Sequence, residues 1–290
     1  MAETTGFVGL GIMGRPMAAN LAKSFPVIGY DVEESRFHGA AGVMRAATIA
    51  ELASQCGVVC LSLPSASVVE AVTIGSGGLL ENLPAGSLVI DLSTNLPSVS
   101  RRIAARLGEK GIAFADAPVS GGEAGAKSGA LAIMVGAPQG TFERCVPILS
   151  SIGKSIVRVG EVGAGGVAKL VNNMIVGSTF AVIAEGFALA ARNGVDPRQL
   201  YDSIRDGWAG SKVLDVSAAA IIARDYTPGG TIDMIEKDLG YARALATESR
   251  VPIPMTAAAH EIYVAGQAAG KGRYAQPAIV ELWRARGGDV

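Results

Sequence analysis

Histidine occurs only twice and cysteine three times in this chain of 290 residues. His38 and His260 lie far apart and in no metal-ligand spacing, which argues against a zinc enzyme, and no metal is expected. Cys56, Cys60 and Cys145 are odd in number and show no C-x-x-C spacing. They read as reduced packing residues of a cytoplasmic protein. Charge of either sign is also missing as an excess: Lys+Arg total 25 against Asp+Glu 26, a net charge of −1. That balance gives no footprint for nucleic acid or an anionic membrane. Aromatic residues make up 5%, too few for a base-stacking surface. The opening MAETTGFVGLG has no basic segment leading into an apolar core, so a secretory leader is not expected. The longest apolar tract, Leu170 to Ala191, is interrupted by Asn172, Asn173, Ser178, Thr179 and Glu185, which favours a buried helix between domains over a membrane span. What survives these absences is a small-molecule partner.

Glycine, by contrast, is plentiful at 38 residues, and its placement carries the argument. An apolar strand from Thr5 to Leu10 runs into Gly9-Leu10-Gly11-Ile12-Met13-Gly14, followed by a helical segment from Arg15 with Pro16 in its first turn. A G-x-G-x-x-G between a strand and a helix lets a pyrophosphate approach backbone N–H groups at the helix amino end. Taken alone, the glycines read equally well as an ordinary turn. A second strand, Val27 to Tyr30, then delivers Asp31 seventeen residues beyond Gly14, where a dinucleotide fold places a carboxylate on the adenosine ribose. A carboxylate there repels a 2′-phosphate, so NAD is expected over NADP, with Arg36 keeping NADP open.

Strand and helix signals continue to alternate. Thr48 and Glu51 form a capping-box pair, Gly57 to Leu63 is a buried strand, and Ser65 caps the helix that follows. Ser87 to Leu92 is another strand, and Pro97 to Lys110 an amphipathic helix. Ile112 to Asp116, Leu131 to Val135 and Ile156 to Val159 complete the sheet, with a helix from Pro138 to Leu149. The alternation predicts an α/β domain, a Rossmann-type doubly wound sheet over residues 1–162 that binds its ligand at the carboxyl ends of the strands. Pro64 and Ser65 lie at one such end and Ser93 to Asn95 at another, which lets Thr94 face the nicotinamide ribose, although Thr94 reads nearly as well as a hydroxyl at a helix approach. Ser120-Gly121-Gly122 exposes successive backbone donors, either a nest for a carboxylate or a flexible turn.

The sheet signals stop at GEVGAGGVAKLVNN, residues 160–173, where a glycine-rich turn enters a helix. Lys169 and Asn173, four residues apart, project side by side from it. An amine able to move a proton then stands beside an amide able to hold a substrate. From residue 163 the chain reads as an all-α C-terminal domain, starting with this long helix. Its later helices run around Lys212 to Ala223, Ile232 to Ser249 and Pro254 to Ala269, and the glycines at 266, 270 and 272 and the final WRARGGDV read as a turn and a loose tail. Lys237, in a charged trio at the start of a helix, reads on its own as a solvated face.

Five ordered motifs, GFVGLGIMGRPMAANL, DLST at 91–94, DAPVSGG at 116–122, GAGGVAKLVNN at 163–173 and KDL at 237–239, cover nearly the whole chain. Together they resemble the β-hydroxyacid dehydrogenases, the family of 3-hydroxyisobutyrate dehydrogenase and 2-hydroxy-3-oxopropionate (tartronate semialdehyde) reductase. The resemblance implies an NAD-dependent oxidoreductase, NADP being possible, acting on a short β-hydroxy acid or its semialdehyde. It implies Lys169 as the catalytic lysine, and Ser120, Gly121, Gly122 and Asn173 as substrate positions. It also implies Gly9, Leu10, Gly11, Ile12, Met13, Gly14, Asp31, Leu63, Pro64, Thr94 and Lys237 as cofactor positions, and a homodimer or homotetramer. A larger sugar acid such as threonate, an imine, and a non-catalytic dinucleotide-sensing role remain as alternatives. Presence of the lysine speaks against the last two.

Overall fold

A computed structural model describes residues 4–227 and 229–284. The chain divides into two compact units, the first ending at Lys169 and the second beginning at Leu170. The first unit starts with β1 (Thr5–Val8), α1 (Gly14–Leu21), β2 (Val27–Tyr30) and β3 (Val43–Arg45). It continues through α2 (Ile49–Gln55), β4 (Val58–Leu61), α3 (Ala66–Ile74), the single turn α4 (Leu79–Asn82), β5 (Leu88–Asp91) and α5 (Pro97–Gly108). Then come β6 (Ala113–Asp116), the two-residue β7 (Val119–Ser120), α6 (Gly122–Ser128), β8 (Leu131–Gly136), α7 (Gln139–Leu149) and β9 (Gly153–Gly160).

The strands form one nine-stranded sheet in the order β3-β2-β1-β4-β5-β6-β8-β7, with β9 on β8. Pairing is parallel from β3 to β6, and β8 runs antiparallel to β6 and β7 but parallel to β9. Strand order reverses direction at β1, which has β2 on one side and β4 on the other. In an open α/β sheet this switch point is where a ligand binds. Both faces of the sheet are covered, so its central strands β1, β4 and β5 are continuous runs of buried residues. The core includes Phe7, Leu10, Cys60, Ile90, Ile133, Cys145 and Leu149. Burial pushes the Cys145 thiol up to about 12 and raises that of Cys60 further, as expected of packing residues.

Caps mark the turns that the sequence specified. Thr48 accepts from the Glu51 N–H and Ser65 from the Val68 N–H, each cap worth about 1 kcal/mol. Three strands were not legible in the same way, the two-residue β7 being too short for any period to show. β3 is a short edge strand with exposed Met44 and Arg45, so it has no apolar alternation to betray it. β9 extends beyond the expected Ile156 to Val159 at both ends, its added Lys154 and Ser155 being exposed polar residues of an edge strand.

The second unit is helical. The long helix α8 (Ala164–Arg192) begins in the first unit and continues into the second, and is followed by α9 (Pro197–Ile204), α10 (Lys212–Ala223), α11 (Ile232–Ser249), α12 (Pro254–Ala268) and the short α13 (Glu281–Arg284). Ala181, Ala184, Phe187 and Ala188 of α8 pack with Leu214, Ile235, Leu239 and Tyr263 in one core. Tyr263 donates its hydroxyl hydrogen to the carbonyl of Gly177 at 2.9 Å, so the buried phenol is satisfied.

Two expectations need correction. The helix read as buried exposes Ile175, Val182 and Leu189 at 65%, 59% and 68%, because only one stripe of α8 packs into the helical core. By length and composition alone α8 could cross a membrane. Yet its first turn is tied to the sheet of the first unit by a buried carboxylate, as shown below. Gly266, expected in a turn, lies inside α12, where a Cβ would sit 3.4 Å from Ile232. The expected loose tail falls mostly on residues 285–290, outside those described.

Candidate active site

The glycine-rich loop follows directly from the sheet geometry. Gly9 leaves β1 at φ +92°, and a Cβ there would lie 2.3 Å from the carbonyl oxygen of Ser62 at the end of β4. Gly14 opens α1 with its Cα so near the loop that a Cβ would lie 1.9 Å from the Gly9 carbonyl. Only glycine fits either place. Gly11, between them, is different: a Cβ there would meet nothing within 4 Å. The loop therefore has one glycine pressed against the end of β4, one that closes the loop on itself, and one that leaves its outer face open. This open backbone beside the amino end of α1 suits a pyrophosphate.

Asp31, just past β2, is tied to that loop. Its Oδ2 accepts the Leu10 N–H at 2.7 Å and its Oδ1 accepts the Glu33 N–H at 2.9 Å. Each oxygen retains a lone pair, so the carboxylate is oriented without being used up. Arg36 is paired with Glu33 at 3.0 Å, which holds its guanidinium.

Two further strand ends are organised by buried carboxylates that the sequence reading passed over. Asp91 ends β5 fully buried, accepting from the Ser93 N–H at 3.0 Å and the Asn95 side-chain amide at 3.3 Å. The Ser93 hydroxyl in turn accepts the Leu63 N–H at 2.9 Å. Leu63 and Pro64, after β4, and Thr94, after β5, are thereby set at the ends of two adjacent strands. Asp116 ends β6 and is 2% exposed. Its Oδ1 accepts from Gly163 N–H and its Oδ2 from Gly166 N–H, both at 2.7 Å. Burial pushes its carboxyl up to about 7, opposed by the Gly163 and Gly166 donors and helped by nearby Asp91. The signal available in sequence was an acid closing an otherwise apolar strand, which normally means a built partner.

Ser120, Gly121 and Gly122 stand at the junction of β7 and α6, with Gly121 at φ +134° and Gly122 at φ +61°. A Cβ on Gly122 would meet nothing within 4 Å, so its backbone is open to a ligand. Asn20 of α1 reaches across to α6, its Nδ2 donating to the carbonyls of Ala126 at 2.8 Å and Lys127 at 3.2 Å. The helix that follows the glycine-rich loop is thus fastened to the one that follows the nest.

Lys169 is half-buried in α8 and closes the first unit. Asn173 follows one turn on, buried, in the second unit. Within that unit Asn173 donates from Nδ2 to Asp238 Oδ2 at 2.6 Å and accepts at Oδ1 from Asn172 at 3.0 Å. Asp238 Oδ1 pairs with Lys237 Nζ at 3.2 Å, and that ammonium also lies 5.3 Å from the Tyr241 ring centre. One buried carboxylate therefore links Asn173 of α8 to Lys237 of α11, which sequence spacing gave no means of seeing. His260 is engaged elsewhere, between Glu236 at 3.0 Å and Arg243 at 2.7 Å. Among the described residues no cluster suited to a metal is present.

Residues 4–160 match the family model described as the NAD binding domain of 6-phosphogluconate dehydrogenase. Residues 163–283 match that described as NAD-binding of NADP-dependent 3-hydroxyisobutyrate dehydrogenase. The chain belongs to the β-hydroxyacid dehydrogenase family. This family member is 39% identical to the 2-(hydroxymethyl)glutarate dehydrogenase of Eubacterium barkeri, with 96% of this chain and 94% of that protein covered. It is 34% identical to the 2-hydroxy-3-oxopropionate reductase of Escherichia coli, with 95% of each covered. Among solved structures, the 3-hydroxyisobutyrate dehydrogenase of Mycobacterium tuberculosis with L-serine superposes with a TM-score of 0.89 at 31% identity, covering 98% of this chain and 100% of that one. The β-hydroxyacid dehydrogenase described here is accordingly an oxidoreductase with an NAD-binding first unit and a helical second unit.

Proposed function

We propose that this enzyme interconverts a short β-hydroxy acid and its oxo acid or semialdehyde with NAD, using Lys169 as general acid and base. The observation that carries this reading is a lysine on α8, one turn before an asparagine whose amide is locked by Asp238. Relatives acting on 3-hydroxyisobutyrate, 2-hydroxy-3-oxopropionate and 2-(hydroxymethyl)glutarate, by their names, share a carboxylate beside an alcohol or aldehyde. The chemistry a bound nicotinamide would supply is hydride transfer to and from the substrate's alcohol or carbonyl carbon. In oxidation neutral Lys169 takes the hydroxyl proton from oxygen, and in reduction its ammonium form returns one to the developing alkoxide. The Ser120 hydroxyl and the N–H groups of Gly121 and Gly122 hold the carboxylate, and Asn173 orients the hydroxyl through its remaining amide hydrogen.

Gly9 to Gly14 would cradle the pyrophosphate, Asp31 would take the ribose hydroxyls, and Leu63, Pro64 and Thr94 would line the cofactor site, with Lys237 a further cofactor position by the family resemblance alone. Support for NAD comes from Asp31 being held against the loop by Leu10 N–H while Arg36 is drawn to Glu33. The test is the absorbance of reduced nicotinamide when the protein meets NAD or NADP with D-glycerate, both 3-hydroxyisobutyrate enantiomers, L-serine, L-threonate and 2-(hydroxymethyl)glutarate. Turnover of one short acid with NAD is the expected result. A clear preference for NADP would remove Asp31 from its role. Silence across the panel, with NADH still bound, would replace the proposed substrate by an imine or the enzyme by a sensor.

The enzyme is further proposed to work in the cytoplasm as a homodimer or homotetramer. The apolar residues that α8 leaves exposed, Val171, Ile175, Val182 and Leu189, form the kind of surface a second copy covers. Light scattering behind size exclusion should give a mass of two or four chains at micromolar concentration. A single-chain mass there would rule the oligomer out.

A further inference from the structure

Asp116 touches no group used in the proposed reaction, yet it grips the helix that carries Lys169. The first N–H groups of a helix have no partner within it, and a side chain next to them in sequence normally supplies one. Here the acceptor comes from the end of β6, 47 residues before Gly163 and 50 before Gly166. Each carboxylate oxygen takes one donor at 2.7 Å. Because the carboxylate is planar and rigid, two bonds to residues three apart fix both the tilt and the rotation of the first turn of α8. Lys169 lies three residues beyond Gly166, so its direction follows from that turn.

The surroundings leave no slack. A Cβ on Gly165 would lie 2.4 Å from the Met134 carbonyl and 2.5 Å from that of Asp116, and a Cβ on Gly136 would lie 2.5 Å from Asp116 Oδ1. Asp116 itself is paired in register with Asp91 on β5 and with Gly136 on β8. The two acids divide the work: Asp91 shapes the loop bearing Thr94, and Asp116 sets the helix bearing Lys169.

We propose that Asp116 is a positioning residue of the reaction, its two carboxyl oxygens anchoring the first turn of α8 so that Lys169 Nζ is held at the reacting hydroxyl. This rests on the reading of Lys169 as the proton-transfer group. Protonation would weaken one of the two bonds, since a carboxylic O–H oxygen is a poor acceptor. An amide does the same by turning an NH₂ towards an N–H. In Asp116→Asn, kcat should fall on the order of 100-fold, the scale of an ångström-sized misplacement, with KM for NAD unchanged. The rate is expressed per competent site by titrating bound NADH, which removes loss through misfolding. Asp116→Glu, which keeps the charge but pushes the turn outward, should show the same split between kcat and KM and serves if the amide variant does not fold.

The deciding comparison is a double-mutant cycle. If Asp116 acts through Lys169, Asp116→Asn should add nothing to the loss already present in Lys169→Ala. An equal fold-loss in both backgrounds, or a wild-type kcat per competent site in Asp116→Asn and Asp116→Glu, would overturn the proposal. Wild-type turnover by Lys169→Ala alone would instead defeat the reading of Lys169, so the two failures are distinguishable.

Discussion

Replacing Lys169 by alanine should lower kcat on the order of 1,000-fold, within the range attributed to a positioned general acid or base, while leaving NADH affinity intact. The separation follows from where the groups lie. The glycine-rich loop and Asp31 are built on β1, β2 and α1, whereas Lys169 is carried by α8. Loss of turnover would not be misfolding either, because Lys169 is half-buried in the body of α8 and alanine has the higher helix propensity. Stopped-flow absorbance of NADH formation and fluorescence titration of NADH together give both quantities. Adding a small primary amine should return part of the lost rate, since the amine can carry the proton through the space the side chain vacates. Turnover near the wild-type value in Lys169→Ala would eliminate the lysine from proton transfer.

The alternation of strands and helices, the glycine-rich loop, and the caps at Thr48 and Ser65 were legible because each is a local pattern: a period, a turn residue or a capping pair at fixed spacing. The long helix was legible for the same reason, but not its exposed stripe. A helix that is apolar nearly all round gives no sign of which face its own chain covers. The links that organise the site were also hidden. Asp116 meets Gly163 and Gly166 across some fifty residues, Asn173 meets Asp238 across 65, and Asn20 meets Ala126 across 106. No spacing rule connects such pairs. The acids themselves stood in the five motifs, and what the motifs could not say is that these carboxylates orient the loops and helix around the site.

Gly14→Ala and Gly11→Ala should fail in opposite ways, and the contrast locates the cofactor. A Cβ on Gly14 would lie 1.9 Å from the Gly9 carbonyl and 3.2 Å from the Phe7 ring, so the loop or the start of α1 must shift. The expected cost is about 3 kcal/mol, the upper end of overpacking, and NADH affinity should fall along with thermal stability because the loop itself is displaced. A Cβ on Gly11 meets no protein atom within 4 Å, so Gly11→Ala should melt close to the wild type. Its methyl group would nevertheless stand in the open face over which the pyrophosphate passes, and a loss of about 2 kcal/mol there is roughly a 30-fold weaker complex. Calorimetric melting and NADH titration of both variants decide the matter. A Gly11→Ala protein that binds NADH like the wild type would mean that the open backbone at Gly11 is not where the phosphates lie. The loop would then be a structural turn, and the cofactor would have to be held by the ends of β2, β4 and β5 without it.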